Sequence, residues 1–397
     1  MIYVIGEKDY EIKNCKLEKK LHIKINSCRI CNFGIEDIFT FSKQATANSL
    51  RKNLKIRLEK HELTLVKCKK CHTLQLNKTV NPKELFNNYI WVTGTSSAAI
   101  KHRKYFYNQS IKRIGVKNKK RYIFEIASND GTFLEEFKIN NYEVIGIDPA
   151  KNIAKLANNR NIKTIADFFT YKSAKLVKNK YGSPDFVFAR NVIPHIENIN
   201  EVINSIYSLM DEKSIGCIEF HYLKNIYDGL QYDSIYHEHI FYFSLKTITN
   251  LLKQHSLYIF DCIKSPLSGG SLIIYFNKSK LSIKKKNYLK FLENEKNLRL
   301  NQLSTWKNFA KRVQNHKKEI IRIFESLKSK NIKVCGYGAS ARSSTFLNYS
   351  DLNSKNIICI FDKSKHKHNM YTAGTNIIIK KPNELFKYNP NLIILLA

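Results

Sequence analysis

Tyr122-Ile123-Phe124-Glu125-Ile126-Ala127-Ser128-Asn129-Asp130-Gly131-Thr132 passes from a short apolar run with β-branched residues into a polar turn and then into a helical stretch. The same alternation continues downstream. Val144-Ile145-Gly146-Ile147-Asp148-Pro149 is followed by a helix to about Arg160 and by Ile162-Lys163-Thr164-Ile165. Asp185-Phe186-Val187-Phe188-Ala189, Ile215-Gly216-Cys217-Ile218-Glu219-Phe220 and Leu272 to Phe276 extend the strand series. Strands alternating with helices predict an α/β fold, a mostly parallel, Rossmann-like sheet covered on both faces.

The turn after the first strand carries chemistry. Small residues let a nucleoside approach the backbone, and Glu125 stands near the strand end with the amides of residues 127–131 exposed beyond it. Asp148 falls where the second strand ends, placed to accept hydrogen bonds from both ribose hydroxyls. Asp167, after the third strand, is placed to meet an adenine amine. There is no GxGxxG, and no P-loop lysine follows the turn, which disfavours dinucleotides and nucleoside triphosphates.

Upstream, Cys28-x-x-Cys31 and Cys68-x-x-Cys71 are two thiolate knuckles. Two knuckles complete a closed, tetrahedral zinc site of the structural type, with no open position for catalysis. Zinc would then contribute folding energy to a unit too small for a large core. His61 and His72 lie nearby and read as bystanders. Residues 1–82 are expected to form this zinc-binding unit, and residues 83–118 a helical connector containing Tyr89-Ile90-Trp91.

Downstream, Tyr236-His237-Glu238-His239 follows Asp233 and precedes an aromatic run and a predicted helix. Packing alone does not call for four hydrogen-bonding or titratable side chains in a row. Histidine is the usual base near neutral pH, and Tyr or Glu can orient it or share its proton. The His-Glu-His spacing does not match HExxH, so a zinc hydrolase is disfavoured. His195, just beyond the strand ending at Ala189, belongs to the same edge of the sheet. Gly269-Gly270-Ser271 offers either backbone donors to an anionic oxygen or a tight turn.

Residues 284–330 contain neither Pro nor Gly and predict long charged helices. A second α/β unit opens at Ile332-Lys333-Val334-Cys335 and runs into Gly336-Tyr337-Gly338-Ala339-Ser340, a weak phosphate-type turn. Leu392 to Ala397 reads as a buried strand without polar closure, so residues 284–397 are expected to be an incomplete unit. Residues 83–283 would be the central core.

The formal charge is +34 over 397 residues. The lysines are scattered along the chain rather than gathered in one arm, so the charge reads as solvated surface that would attract an anionic substrate. Nucleic acid is not the expected partner. No run of about 18 apolar residues is present and the opening residues lack a signal-peptide pattern, so a cytoplasmic protein without a membrane partner is expected. The sequence is silent on oligomeric state.

Taken in order, the CxxC pairs, the Glu125-to-Thr132 turn, Asp148-Pro149, Asn191-Val192 with His195, the Tyr236-to-His239 run, Gly269-Gly270-Ser271 and Gly336-Tyr337-Gly338-Ala339 resemble the sugar C-methyltransferases that act on nucleotide-linked keto-deoxysugars. The resemblance spans Cys28 to Ala397. It implies a zinc-binding N-terminal domain, a class I methyltransferase core using S-adenosyl-L-methionine, and a Rossmann-like C-terminal domain that helps to hold a nucleotide-linked sugar.

The resemblance implies His239 as base, with Tyr236, Glu238, His195 and Tyr89 around the enolate. Glu125, Ala127, Asn129, Asp130, Gly131, Asp148, Asp167 and Asn191 would hold the cofactor, and His237, Gly270, Ser271 and Tyr337 the substrate. Departures from the family pattern are Ala127 and Trp91, where Gly and Tyr are common, and Arg342-Ser343, where Lys-Gly is common. The alternatives are an O- or N-methyltransferase of a related molecule, or a basic zinc-containing nucleic-acid-binding protein.

Overall fold

The computed structural model describes residues 22–80, 92–115 and 122–396. Tyr89, Trp91 and the basic run 117–121 lie outside them.

Near the amino terminus, β1 (His22–Lys24) pairs antiparallel with β5 (Lys78–Val80). Between them, β2 (Ile35–Gln44), β3 (His61–Cys68) and β4 (Leu74–Leu76) form three strands of an antiparallel sheet. Its fourth strand comes from far along the chain, as described below.

The core opens with α1 (Ser97–Ile114), capped by the Ser96 side chain on the Ala99 amide. It continues through β6 (Tyr122–Ile126), α2 (Thr132–Ile139), β7 (Glu143–Ile147), α3 (Lys151–Asn159), β8 (Thr164–Ile165), α4 (Tyr171–Tyr181), β9 (Phe186–Arg190), α5 (Ile199–Leu209) and β10 (Ile215–His221). Next come α6 (Leu223–Asp228), β11 (Phe241–Tyr242), α7 (Leu245–Gln254), β12 (Tyr258–Ser265) and β13 (Ser271–Asn277).

Seven of these strands form one sheet in the order β12-β13-β10-β9-β6-β7-β8. The five from β8 to β10 are parallel, whereas β13 runs antiparallel to both β10 and β12. All of β6 is buried, as a central strand with two covered faces requires. Its side chains alternate. Ile123 joins Phe106, Phe133 and Phe188 on one face, and Phe124 joins Ala174, Val177 and Ile203 on the other. Strand order reverses between β6 and β9, which opens a crevice at their carboxyl ends.

β12 was not anticipated. Asp261 and Lys264 interrupt its apolar run, and a bulge lies between Ile259 and Asp261. Arg113 offsets the burial of Asp261 with a 2.6 Å ion pair.

β11 leaves the core and pairs with β4, completing the sheet β11-β4-β3-β2. The N-terminal unit is therefore finished by residues far beyond its expected boundary at residue 82, through a junction where the Leu76 amide donates to the Ile240 carbonyl at 2.9 Å.

Two helices follow, α8 (Lys286–Asn297) and α9 (Leu303–Ser329). Although α8 lies in the stretch assigned to the C-terminal unit, its Tyr288 packs into the central core. Trp306, Phe309 and Val313 of α9 share one apolar cluster with Phe41, Leu63 and Leu65 of the N-terminal sheet and Tyr232 and Ile235 of the core. One apolar interior thus fixes the units against each other.

The last unit comprises β14 (Val334–Tyr337), α10 (Ala341–Tyr349), β15 (Cys359–Phe361), β16 (Ile378–Lys380), α11 (Leu385–Tyr388) and β17 (Leu392–Leu395). Its parallel sheet has the order β16-β15-β14-β17. The expectation of a buried final strand is corrected here. β17 is an edge strand, and Leu392, Ile393 and Leu395 are exposed.

Candidate active site

The turn after β6 bends because three residues adopt positive φ: Ala127 (53°), Asn129 (51°) and Gly131 (76°). A Cβ on Gly131 would stand 2.7 Å from the Ile162 side chain, so the turn packs tightly on its neighbour. Asp148, beyond β7, braces it by accepting from the Asn129 amide at 2.9 Å, and its other oxygen accepts from the Ala150 amide at 2.9 Å. Each oxygen retains a second lone pair. Burial raises the Asp148 pKa.

Asn129 and Asp130 hold a different partner. Asn129 Oδ1 accepts from the Thr93 amide at 2.8 Å and Asp130 Oδ2 from the Gly94 amide at 3.1 Å. Asp130 also accepts from Thr132 and from Arg160. These two side chains pin the segment before α1 over the turn. Asp167 is exposed and accepts from the Phe168 amide. Asn191 follows β9 with φ 49°, its amide bonded to the Glu219 carbonyl.

Glu125 is buried, and desolvation pushes its carboxyl pKa well up, with Arg190 acting in the opposite direction. Its Oε2, the Ser128 hydroxyl and Arg190 Nη2 have no hydrogen-bond partner among the described residues. Three buried polar groups left unpaired at the carboxyl edge of a sheet call for a polar partner, either ordered water or a ligand.

The Tyr236-to-His239 loop lies between the units. His239 Nδ1 is 3.2 Å from the Ser234 carbonyl, which can only accept, so Nδ1 carries the proton and Nε2 the lone pair. The Tyr236 hydroxyl donates to that Nε2 at 2.8 Å. The His195 ring meets His239 edge-on, with centroids 4.7 Å apart. Burial holds His239 well below the usual histidine range, and it carries His195 down to about 4. Both are therefore neutral at pH 7.

Glu238 Oε1 accepts from Asn48 Nδ2 of the N-terminal unit at 2.5 Å, and burial raises its carboxyl pKa to about 7. His237 is buried and packs edge-on against His61 of β3. Opposite them, Arg342 of α10 grips Asp233 with two hydrogen bonds, at 2.9 and 3.0 Å. Thr345 Oγ1 donates to the Ile235 carbonyl. The catalytic candidates His195, Tyr236, Glu238 and His239 are thus brought together, with all three units as walls.

The remaining sequence candidates lie around this centre. Gly270, at φ 108°, presents its carbonyl to Asn225 Nδ2 at 2.9 Å. Ser271 is buried and its hydroxyl donates to the Leu267 carbonyl. Tyr337 ends β14 and packs with Cys335 and Phe361 of the C-terminal unit.

In the N-terminal unit, the Sγ atoms of Cys28, Cys31, Cys68 and Cys71 lie within 4.8 Å of one another. The Cys28–Cys71 and Cys31–Cys68 pairs are 3.6 and 3.4 Å apart. A tetrahedron of Zn–S bonds about 2.3 Å long has edges of roughly 3.8 Å, so the four thiols fit that metal. Amides of Ile30, Lys70 and Cys71 point at the sulfurs of Cys28 and Cys68. His61 and His72 are outside the four-cysteine group.

Three family models match successive stretches of the chain. They are a zinc binding domain over residues 28–86, a methyltransferase domain over 99–260 and a C-methyltransferase C-terminal domain over 266–397. The C-methyltransferase NovU of Streptomyces niveus is 27% identical over 336 residues, which cover 84% of this chain and 80% of that protein. The chain is thus similar to a C-methyltransferase along most of its length.

Solved structures resemble the methyltransferase more loosely. A SAM-dependent methyltransferase from Anabaena variabilis is 14% identical, covering 49% of this chain and 90% of that one, with a TM-score of 0.38. Magnesium protoporphyrin IX methyltransferase from Synechocystis with bound SAM is 12% identical, covering 46% and 80%, with a TM-score of 0.34.

The methyltransferase uses S-adenosylmethionine, and zinc is its metal. The unpaired Glu125 and Ser128 atoms beside Asp148 fit a nucleoside-bearing cofactor. Two features of this edge escaped the sequence reading. Glu219 of β10, fully buried, accepts from Arg190 Nε at 2.7 Å, from His102 at 3.1 Å and from Ser265. Burial opposes its ionisation, yet Arg190 and the other donors prevail and hold its pKa at about 2. The other is His221, at the end of β10 and bonded to Gln231. Glu219 was read only as part of an apolar run, and His221 adjoined no motif.

Proposed function

We propose that this methyltransferase transfers a methyl group to carbon in a nucleotide-linked keto-deoxysugar, after removing a proton next to the ketone. The observation that carries this reading is the Tyr236–His239 pair, a buried neutral imidazole whose Nε2 lone pair is fixed by the Nδ1 contact to Ser234.

A C–H next to a ketone is a weak acid, so the site needs a base and a donor for the enolate oxygen. In this reading the Tyr236 hydroxyl turns from Nε2 to the substrate carbonyl, and the freed Nε2 lone pair accepts the proton while the C–H electron pair moves onto the carbonyl. Tyr236, His195 and Glu238 hold the substrate and the developing enolate, with Tyr89 as a further candidate. S-adenosylmethionine, when bound, supplies a methyl group that is already activated. Asp148 takes the ribose hydroxyls and Asp167 the adenine amine, with Asn191 beside them. Positioning is the main remaining task of the chain.

His237, Gly270, Ser271 and Tyr337 border the sugar side of the site in this proposal. The substrate and donor are water-soluble metabolites, which suits a cytoplasmic enzyme. Among the described residues no helix is long and apolar enough to cross a membrane.

The test is His239→Asn, assayed by mass spectrometry against a panel of nucleotide-linked keto sugars. Product should disappear while S-adenosylmethionine binding, followed by calorimetry, is retained. Unchanged turnover would remove His239 as base. Deuterium exchange at the carbon next to the ketone separates this route from O- or N-methylation, which does not require it.

A further inference from the structure

His221 closes β10 and stands opposite Ser271 of β13 in the antiparallel register. It is only 8% exposed. Its Nε2 lies 2.9 Å from Gln231 Oε1, and Gln231 Nε2 donates to the Gly269 carbonyl at 2.9 Å. That chain has one consistent proton assignment. The Gly269 carbonyl can only accept, so it receives the Gln231 amide nitrogen, and the amide oxygen turns to His221. His221 therefore carries its proton on Nε2.

Nδ1 is left as an acceptor and has no hydrogen-bond partner among the described residues. Burial keeps the ring neutral, down to about pH 4. The ring is buried, but Nδ1 is not among the sealed atoms without a partner, so it stays open to a donor from a bound ligand.

Its surroundings indicate where a donor would come from. Gln231, Asp233 and Arg342 line a cleft of about 410 Å³ between the core and the C-terminal unit. A positive charge on His221 would also bear on His239. His221 is therefore bonded to one residue of the cleft wall and close enough to His239 for its charge to be felt there.

We propose that His221 Nδ1 accepts a hydrogen bond from a hydroxyl of the methyl-acceptor sugar, making His221 a specificity-determining residue oriented by Gln231 and Gly269. This rests on the sugar C-methylation reading above. The chemistry selected is a sugar bearing a free hydroxyl near the reacting ketone. A deoxy carbon at that place leaves the acceptor unpaired.

Two measurements on the full-length, zinc-loaded protein test it. In the first, ¹⁵N spectra of imidazole-labelled protein, with His221→Asn for assignment, should show a neutral ring protonated at Nε2. Protonation at Nδ1 overturns the proposal. In the second, kcat and KM are measured for His221→Phe and Gln231→Leu on nucleotide-linked keto sugars that differ only in carrying a hydroxyl or a hydrogen at one ring carbon.

For the hydroxyl-bearing sugar, kcat/KM should fall at least about tenfold, mostly through KM, and for its deoxy partner much less. Equal losses on both sugars mean a merely structural residue and overturn the proposal. Turnover like that of the native enzyme overturns it as well. If the native enzyme methylates no sugar in the panel, the C-methylation reading fails and takes the hydroxyl role with it. That failure is distinguishable, because the native enzyme itself is then inactive on the panel.

Discussion

Asn48 and Glu238 are 190 residues apart in sequence, yet Asn48 Nδ2 lies 2.5 Å from Glu238 Oε1. The contact joins the four-cysteine unit directly to the proposed catalytic loop. It also governs a titration, because burial raises Glu238 to about 7 while the Asn48 hydrogen bond pulls it down. Removing that bond with Asn48→Leu should raise the Glu238 pKa further. The pH–rate profile of the variant should move its corresponding limb above that of the native enzyme. A profile that stays in place would exclude Glu238 as the titrating group.

The same carboxyl affects stability with a definite sign. Its folded pKa of about 7 exceeds the ordinary 4.5, so the folded state holds the proton more tightly. The stabilisation is complete below pH 4.5 and is lost as pH rises through 7. By linkage that amounts to about 3 kcal/mol. Glu238→Gln should abolish this fall, which denaturant melts between pH 5 and 8 would record.

His195 and His221 act in the opposite sense. Burial holds both at about 4, below the ordinary 6.5. The unfolded chain therefore binds more protons between these values, and stability falls as pH drops from 6.5 towards 4. Each ring contributes about 3 kcal/mol to that loss. His221→Phe should shift the acid-unfolding midpoint downward, as followed by tryptophan fluorescence with Trp306 in the shared core. A midpoint that does not move would mean that His221 can be protonated in place.

The zinc cysteines are remote from the proposed catalytic loop in sequence but not in structure. The sheet they close includes β11, which directly follows His239 and Ile240. Stripping the metal with a chelator should unfold this sheet, since structural zinc contributes about 10 kcal/mol or more in small zinc modules. Methyl transfer should then be lost, while S-adenosylmethionine binding by the core persists. Cys68→Ser should behave alike, and loss of both functions together would show that the units unfold as one.

Much of this was legible because local pattern and tertiary environment agreed. The run Tyr122 to Ile126 is apolar on both faces and is buried on both. The CxxC pairs and the Tyr236-to-His239 run cluster in sequence, and the structure places each together. The rest depended on distant partners. β12 carries Asp261, which is tolerable only because Arg113 reaches it from α1. His221 has no neighbour in sequence that marks it, and Gln231 meets it across a ten-residue loop. β17 is as apolar as a buried strand, but its place at the sheet edge exposes it. Asp130 matched a cofactor position, and what it bonds to is the backbone before α1.

The turn after β6 yields a last prediction. Ala127 occupies the left-handed region at φ 53°, where an L side chain costs roughly 1–2 kcal/mol. Glycine adopts that conformation freely but loses about 0.5–1 kcal/mol through the greater entropy of its unfolded chain. The strain is the larger quantity, so Ala127→Gly should stabilise the core by about 0.5–1 kcal/mol. Calorimetric melts should show a midpoint raised by about 1–3 °C. S-adenosylmethionine affinity should be preserved or improved if the nucleoside binds at this turn as proposed, because the change removes a methyl there. Ala127→Val makes the opposite test. A β-branched residue at positive φ adds strain at the same place, and both midpoint and affinity should fall. If Gly destabilised the protein instead, packing of the Ala127 methyl against the core would outweigh its backbone strain.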